Sequence, residues 1–306
     1  MATTAAGLVV GPRLLPAYPP TRSPAYIERW SWAMGQPVSL KLFAGSEAEG
    51  YAAAQAAFAE LRRIEGKLSR FDPASDLSAL NDRAGGAPVL VDPELRAVLK
   101  LAEGIRGATR GAFDPAIEPV MRAWGFHATR GLPPTALELA EAREAVQGAR
   151  LRWDGPRVAL DGSGAALDLG GIGVGHGLDA AARVLRSRGI RAALLDVSGD
   201  LIAIGAPPGS RGWEVGIADP TDPTGAPIRT LHLNDAALAT SANTASVVRW
   251  NGRAFGHVMD PRAAAPAARV CQVTVVAPSG VLADAWSTAC LVAPVAPPRG
   301  SRALIV

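Results

Sequence analysis

Apolar positions along the chain follow two rhythms that alternate from one segment to the next. Residues 37–45, PVSLKLFAG, put Val38, Leu40, Leu42 and Ala44 at every second position, the period of a half-buried strand. Ser46 then stands where it can cap a long Ala-rich stretch whose apolar residues keep helical spacing to about Leu68. The segment SRFDPASDLSALN (69–81) is turn-rich, and its Asp72, Ser75 and Asp76 favour side-chain-to-backbone hydrogen bonds. Asp92 and Pro93 open a second helix to about Ala108, which stops at Gly111, and residues 133–148 predict a third. Short alternating runs separated by Asp-Gly turns predict a hairpin between Leu151 and Asp168.

Beyond that hairpin the Gly-rich run LDLGGIGVGHGLD (167–179) leads into a helix through Arg188. RAALLDV, DLIAIGA and WEVGIAD follow as strands, with further short strands to about Val276. A last helix starts near Gly280, and SRALIV is placed to close a sheet. Hairpins mixed with helices in blocks predict an α+β fold, with mixed, largely antiparallel sheets covered by helices, and argue against a doubly wound parallel sheet. Residues 1–25 read as a Pro-rich, loosely held arm and residues 26–306 as one domain, since no repeat or linker divides them.

With 306 residues and 48% hydrophobic content the chain can bury a sizeable core. The net charge is only +3, despite a pI near 9.2. It rests on scattered arginines, with lysine only at Lys41, Lys67 and Lys100. No basic stripe forms, so nucleic acid is not an expected partner. Cys271 and Cys290 sit in apolar runs without metal or redox spacing, which fits a reduced compartment. No window of about 18 uncharged apolar residues spans a membrane. The N-terminus lacks a basic leader, a full apolar core and a cysteine for lipid attachment, so a cytoplasmic location is favoured.

Candidate chemistry begins at Asp284 and Thr288, four residues apart in the apolar run VLADAWSTA. Helical spacing puts both on one face, where two oxygens suit a hard cation such as Mg²⁺. The same residues equally fit a first-turn acid and a back-bonded threonine. GGIGVGHG ahead of a helix suits a phosphate held by free N–H groups, or a tight turn packing helix on sheet. It is neither a Walker loop nor a dinucleotide fingerprint. Asp168, just before it, fits a ligand's donors or the glycine loop itself. SGD (198–200), GAFDP (111–115), ATSAN (239–243) and FGHVMDPR (255–262) set polar groups at strand and helix ends. A Ser241–His257–Asp260 triad is conceivable, although no nucleophile elbow surrounds the serine.

In order along the chain, these clusters resemble the ApbE family of flavin transferases, enzymes that move FMN from FAD onto a protein threonine. The resemblance covers about residues 30–292. It is carried by WAMG (32–35), LSRFDPASDLSALN (68–81), TRGAFDPAIEPVMRAWGF (109–126), LDLGGIGVGHGLD (167–179), LLDVSGDLIAIG (194–205), LATSAN (238–243), GHVMDPR (256–262) and VLADAWSTA (281–289). It implies that Asp284 and Thr288 are side-chain Mg²⁺ ligands, with a backbone carbonyl from the glycine loop, at Gly173. It implies FAD as the substrate, lined by Met34, Phe71, Ala112, Phe113, Asp114, Asp168, Val174 and His257. Asp179, Gly199 and Asp200 fall near the flavin or the loop that holds it. The partner is an acceptor protein with a threonine to be flavinylated, and either His257 or Asp260 serves as the base.

Departures from the family pattern qualify the activity. The glycine loop commonly reads GGIAKGYAVD, so Val174 stands where a lysine is usual and His176 where a tyrosine is. Ala242 replaces the glycine of TSG, and Ala263 and Ala264 replace the last two residues of DPRTG. Loss of a phosphate-facing cation predicts slow turnover unless another arginine, such as Arg262, supplies the charge. Two alternatives share the same pocket. One is an FAD pyrophosphatase releasing FMN and AMP, the other a non-catalytic FAD-binding protein.

Overall fold

The computed structural model describes residues 23–127, 130, 132–222, 224–244, 247–268 and 271–306; the arm expected over residues 1–25 lies outside them as far as residue 22. The described chain opens with an antiparallel hairpin, β1 (Ala25–Ala33) and β2 (Gln36–Ala44). Ser46 caps α1 (Glu47–Leu68) by accepting from the Glu49 N–H. Ala53, Ala57, Leu61, Ile64 and Leu68 form the buried stripe of that helix, three or four residues apart. Ser75 caps α2 (Asp76–Asn81), and after the short β3 (Val89–Leu90) Asp92 caps α3 (Pro93–Ala108).

Next come α4 (Glu118–Trp124) and α5 (Ala136–Gly148), the latter with a full capping box of Thr135 and Glu138. The third expected helix therefore starts three residues late, because Pro133 and Pro134 precede the residue that can cap it. The hairpin β4 (Arg150–Asp154) and β5 (Arg157–Asp161) joins β3 in a three-stranded sheet. Then α6 (Gly170–Ser187) begins inside the glycine run rather than after it.

The remaining strands are β6 (Ala192–Val197), β7 (Asp200–Ile204), β8 (Trp213–Ile217), β9 (Arg229–Leu233), β10 (Ala236–Ala242), β11 (Val247–Trp250), β12 (Arg253–Gly256), β13 (Met259–Asp260), β14 (Ala265–Pro266) and β15 (Gln272–Ala277). Helix α7 (Gly280–Val292) and β16 (Arg302–Ile305) end the chain. One seven-stranded sheet, ordered β1-β2-β6-β7-β10-β15-β16, pairs antiparallel throughout. Val38, Leu40, Leu42, Leu195 and Val197 face the core beneath the helices. On the other face Leu201, Ala203 and Leu238 pack with Trp213 and Leu233 of the β8–β9 hairpin. The α+β architecture with antiparallel sheets under helices is the one expected, and SRALIV closes the sheet through β15–β16 pairing. No described helix is long and apolar enough to cross a membrane.

Candidate active site

The site begins where α6 meets α7. A Cβ added at Gly175 would lie 2.2 Å from the Gly280 carbonyl oxygen, and one at Gly280 would lie 2.4 Å from that of Gly175. Only two glycines allow this backbone contact. It lays the start of α7 against the first turns of α6 and brings Asp284 and Thr288 to the glycine run. Asp284 is buried, and its Oδ2 accepts the Gly175 N–H at 2.9 Å. In a regular helix that N–H serves the carbonyl four residues back, which here is Gly171, where α6 is kinked (φ −90°, ψ 16°). Gly171 faces Thr288, since a Cβ there would stand 3.2 Å from its Oγ1. Thr288 Oγ1 also lies 3.3 Å from Ser241 Oγ, which shares a 2.7 Å hydrogen bond with Ser287.

Charge at this point is out of balance. Burial, and then the neighbouring charge of Asp200, push the Asp284 carboxyl well above its ordinary range, against the one N–H it accepts. Burial likewise raises Asp200 to about 7, offset in part by the Thr240 N–H. Neither forms an ion pair with a described lysine or arginine. Two interacting carboxylates without a counter-cation, beside a threonine hydroxyl and a helix kink, are a donor set that fits a hard divalent cation. Asp284 is not a capping residue. Ser279 occupies the N-cap of α7, and Asp179 accepts the Gly280 and Val281 N–H groups at 2.7 and 3.0 Å.

A cavity of about 380 Å³ opens above the pair. It brings together Phe71, Ala112, Phe113, Asp114, Asp168, Val174, His257, Asp284 and Thr288. Local hydrogen bonds hold these walls. Asn81 clamps Leu167 through both its N–H and its carbonyl, at 2.8 and 2.9 Å. The Asp168 N–H reaches Pro115 O at 2.8 Å, which ties the glycine run to the 112–114 turn, and Asp168 Oδ1 takes the Gly170 N–H at 2.7 Å. Burial raises the Asp168 carboxyl. It also raises Asp114, where the Ala116 N–H and the Arg106 ion pair at 2.7 Å oppose it. Phe71 is 72% exposed, with the Arg70 guanidinium 4.4 Å over its ring.

Three expected site residues, Met34, Asp179 and Asp260, stand outside the cavity lining. Met34 lies in the β1–β2 turn and packs its thioether on Gly173 and Gly177, while Gln36, two residues on, reaches the cavity. A Cβ on Gly173 would face Leu68 and Met34, and one on Gly171 would face Thr288. Asp179 is used at the start of α7. Asp260 is held by Arg262 through two 2.8 Å hydrogen bonds. Burial would raise its carboxyl, but the Arg262 side chain and backbone N–H outweigh that and lower it. Arg262 thus lines a second pocket of about 490 Å³ with Arg106, Arg110 and Arg150, away from Val174. The Ser241–His257–Asp260 triad does not assemble, because Ser241 bonds Ser287 and Asp260 bonds Arg262. The sequence reading passed over His127, in the cavity wall one residue beyond the motif that ends at Phe126, and Gly171.

A cavity floored by an uncompensated acid pair and a hydroxyl, under walls from many separate segments, has the make-up of a ligand site with room for a divalent cation. The chain belongs to the ApbE family, whose profile matches residues 34–301. The FAD:protein FMN transferase of Rhodobacter capsulatus is 32% identical over 297 residues, 94% of this chain and 55% of the relative. That of Treponema pallidum is 32% identical over 261 residues, 80% of this chain and 72% of the relative. The chain thus spans little more than half of the first relative's length. The crystal structure of the ApbE protein from Thermotoga maritima superposes with a TM-score of 0.84 at 29% identity, covering 92% of this chain and 94% of that one. The flavin transferase ApbE from Vibrio cholerae shares the fold at a TM-score of 0.81 and 24% identity, covering 92% and 93%.

Proposed function

We propose that this protein is an Mg²⁺-dependent FAD:protein FMN transferase, which moves FMN from FAD onto a threonine of an acceptor protein and releases AMP. The observation that carries this reading is the Asp284–Asp200 pair, which lacks a counter-cation and faces a cavity whose walls the family uses for FAD. The names of the relatives support it. Asp284 Oδ, Thr288 Oγ1 and a backbone carbonyl of the glycine run, expected at Gly173, would hold the ion. Bound there, Mg²⁺ would offset charge on the FAD pyrophosphate and on the departing AMP.

The acceptor hydroxyl forms a phosphoester bond to the FMN phosphorus as the pyrophosphate P–O bond breaks. Its proton needs a base within the cavity. His257 lies in the wall, whereas Asp260 is tied to Arg262 and lowered, so His257 is the better of the two candidates. Asp168 and the 112–114 turn orient the dinucleotide, and Phe71 offers an exposed ring face at the mouth.

Asp284→Ala is the direct test. AMP release should fall below detection, since the carboxylate nearest Thr288 and the α6 kink is gone, while folding persists because an uncompensated buried acid has been removed. Wild-type AMP release from the folded variant would sink the metal assignment.

A further inference from the structure

The pocket of about 490 Å³ beside the FAD cavity shares Asp114 and Pro261 with it. Four arginines from three segments line it: Arg106 in the last turn of α3 and Arg110 just after it, Arg150 at the start of β4, and Arg262 after β13. The Ala149 carbonyl oxygen holds two of them together, accepting from Arg150 Nη1 at 2.7 Å and from Arg106 Nη1 at 3.3 Å. Arg262 lies over Gly111, where a Cβ would stand 4.0 Å from its Cγ.

Only half of this positive charge is answered. Asp114 pairs with Arg106, and Asp260 with Arg262. Arg150 donates Nη1 to the Gln147 and Ala149 carbonyls but meets no carboxylate among the described residues. The Arg110 side chain joins no hydrogen bond or ion pair among them. Glu103, the other acid in the lining, takes Trp153 Nε1 at 2.9 Å. Burial raises the Asp114 carboxyl while Arg106 and Arg150 both oppose it, so one acid serves two guanidiniums. Arg110 also holds a left-handed backbone (φ 52°), which glycine or asparagine would adopt at less cost.

Guanidiniums that share one carbonyl repel each other, and an oxyanion placed among them offsets that repulsion. Arg110 keeps all its N–H donors and Arg150 keeps Nε and Nη2, a fork geometry that fits phosphate oxygens two at a time. Two unanswered charges match a dianion. A carboxylate brings one negative charge, whereas a phosphate monoester carries close to two near neutral pH. The volume leaves room for the rest of a small molecule.

We propose that this pocket is a second anion site, which takes the dianionic phosphate of a phosphate monoester, and that the monoester is AMP. AMP is the leaving group of the reaction proposed for the adjoining cavity. Its assignment rests on that reading, whereas the phosphate site rests on the arginines alone. AMP held there has left the cavity but not the protein, so it slows turnover without competing with FAD.

The test titrates the protein, without Mg²⁺, with AMP, adenosine and ribose 5-phosphate by calorimetry. AMP should bind one per chain, adenosine at least about tenfold more weakly, and ribose 5-phosphate no more tightly than AMP. Arg110→Gln and Arg150→Gln should each weaken AMP binding about tenfold. The dissociation constant for FAD, from flavin fluorescence, should stay within about twofold in both, and thermal melts confirm that each variant folds. AMP affinity unchanged by both substitutions would put AMP elsewhere and overturn the proposal. So would a loss of FAD affinity equal to that of AMP, which would make the pocket part of the FAD site. Adenosine bound as tightly as AMP overturns the phosphate reading, and ribose 5-phosphate bound more tightly than AMP overturns AMP as the ligand. If wild type binds no FAD while AMP binding still depends on the two arginines, the transferase reading fails and the phosphate site stands.

Discussion

Asp284 and Asp200 carry a pH dependence whose sign follows from their surroundings. Burial raises both carboxyls, so between about pH 4 and pH 7 the folded metal-free protein keeps protons that the unfolded chain has lost. More protons bound to the native state means that stability falls as pH rises through this window. A bound divalent cation keeps both groups ionised and removes the falling limb. The gain in Tm from Mg²⁺ over a chelator should therefore be larger at about pH 8 than at about pH 5, and Asp200→Asn should shrink the difference. An equal gain at both pH values would contradict the assignment. Val174 belongs to the same scale. It puts an apolar side chain in the cavity where the family pattern has a cation, and Arg262, the substitute expected from the sequence, is committed to Asp260. Val174→Lys should raise the rate of AMP release by about tenfold or more, since one charge beside a developing phosphate charge in a partly dry site is worth a few kcal/mol. Arg262→Ala should leave that rate within about twofold; the reverse pattern in the two rates would show that Arg262 supplies the charge.

Helices α6 and α7 convert a local sequence feature into a tertiary site. Gly175→Ala should destabilise the protein by roughly 1–3 kcal/mol, because its methyl meets the Gly280 carbonyl and Asp284 Cβ at 2.2 and 2.8 Å. FAD turnover should fall further than the loss of folded protein explains, because the same contact sets Asp284. Denaturant unfolding and AMP release on one preparation measure both, and an unaltered protein would mean that the helices do not meet there. Elements whose signals are local were legible in the sequence. Ser46 and Asp92 cap the helices they were expected to open, and the alternation of residues 37–45 is β2. Helix α6 was expected to start after its glycines, since glycine is a poor helix former; packing against α7 overrides that propensity. The role of Asp179 was hidden for a related reason. Its partners, Gly280 and Val281, lie about a hundred residues away, and nothing nearby marks it as the cap of another helix.

Across the whole molecule, one antiparallel sheet holds strand ends and helix starts from distant parts of the chain around a single cavity. Its walls come from the β1–β2 turn, the α1–α2 connection, the turn before α4, the start of α6, the β6–β7 turn, the end of β10, the β12–β13 connection and the middle of α7. The motifs of the sequence are the stretches that meet there, so their order along the chain carried much of the site. What order could not carry was orientation. Met34, Asp179 and Asp260 belong to motifs and turn away from the cavity, while His127, outside every motif, turns in. The most direct measurement incubates the protein with FAD, Mg²⁺ and a threonine-bearing acceptor protein, then follows AMP and the acceptor's mass. Covalent FMN on the acceptor threonine, formed one for one with AMP and dependent on Mg²⁺, is the expected result. AMP appearing with all FMN free in solution, or FAD bound without any AMP, would contradict a transferase.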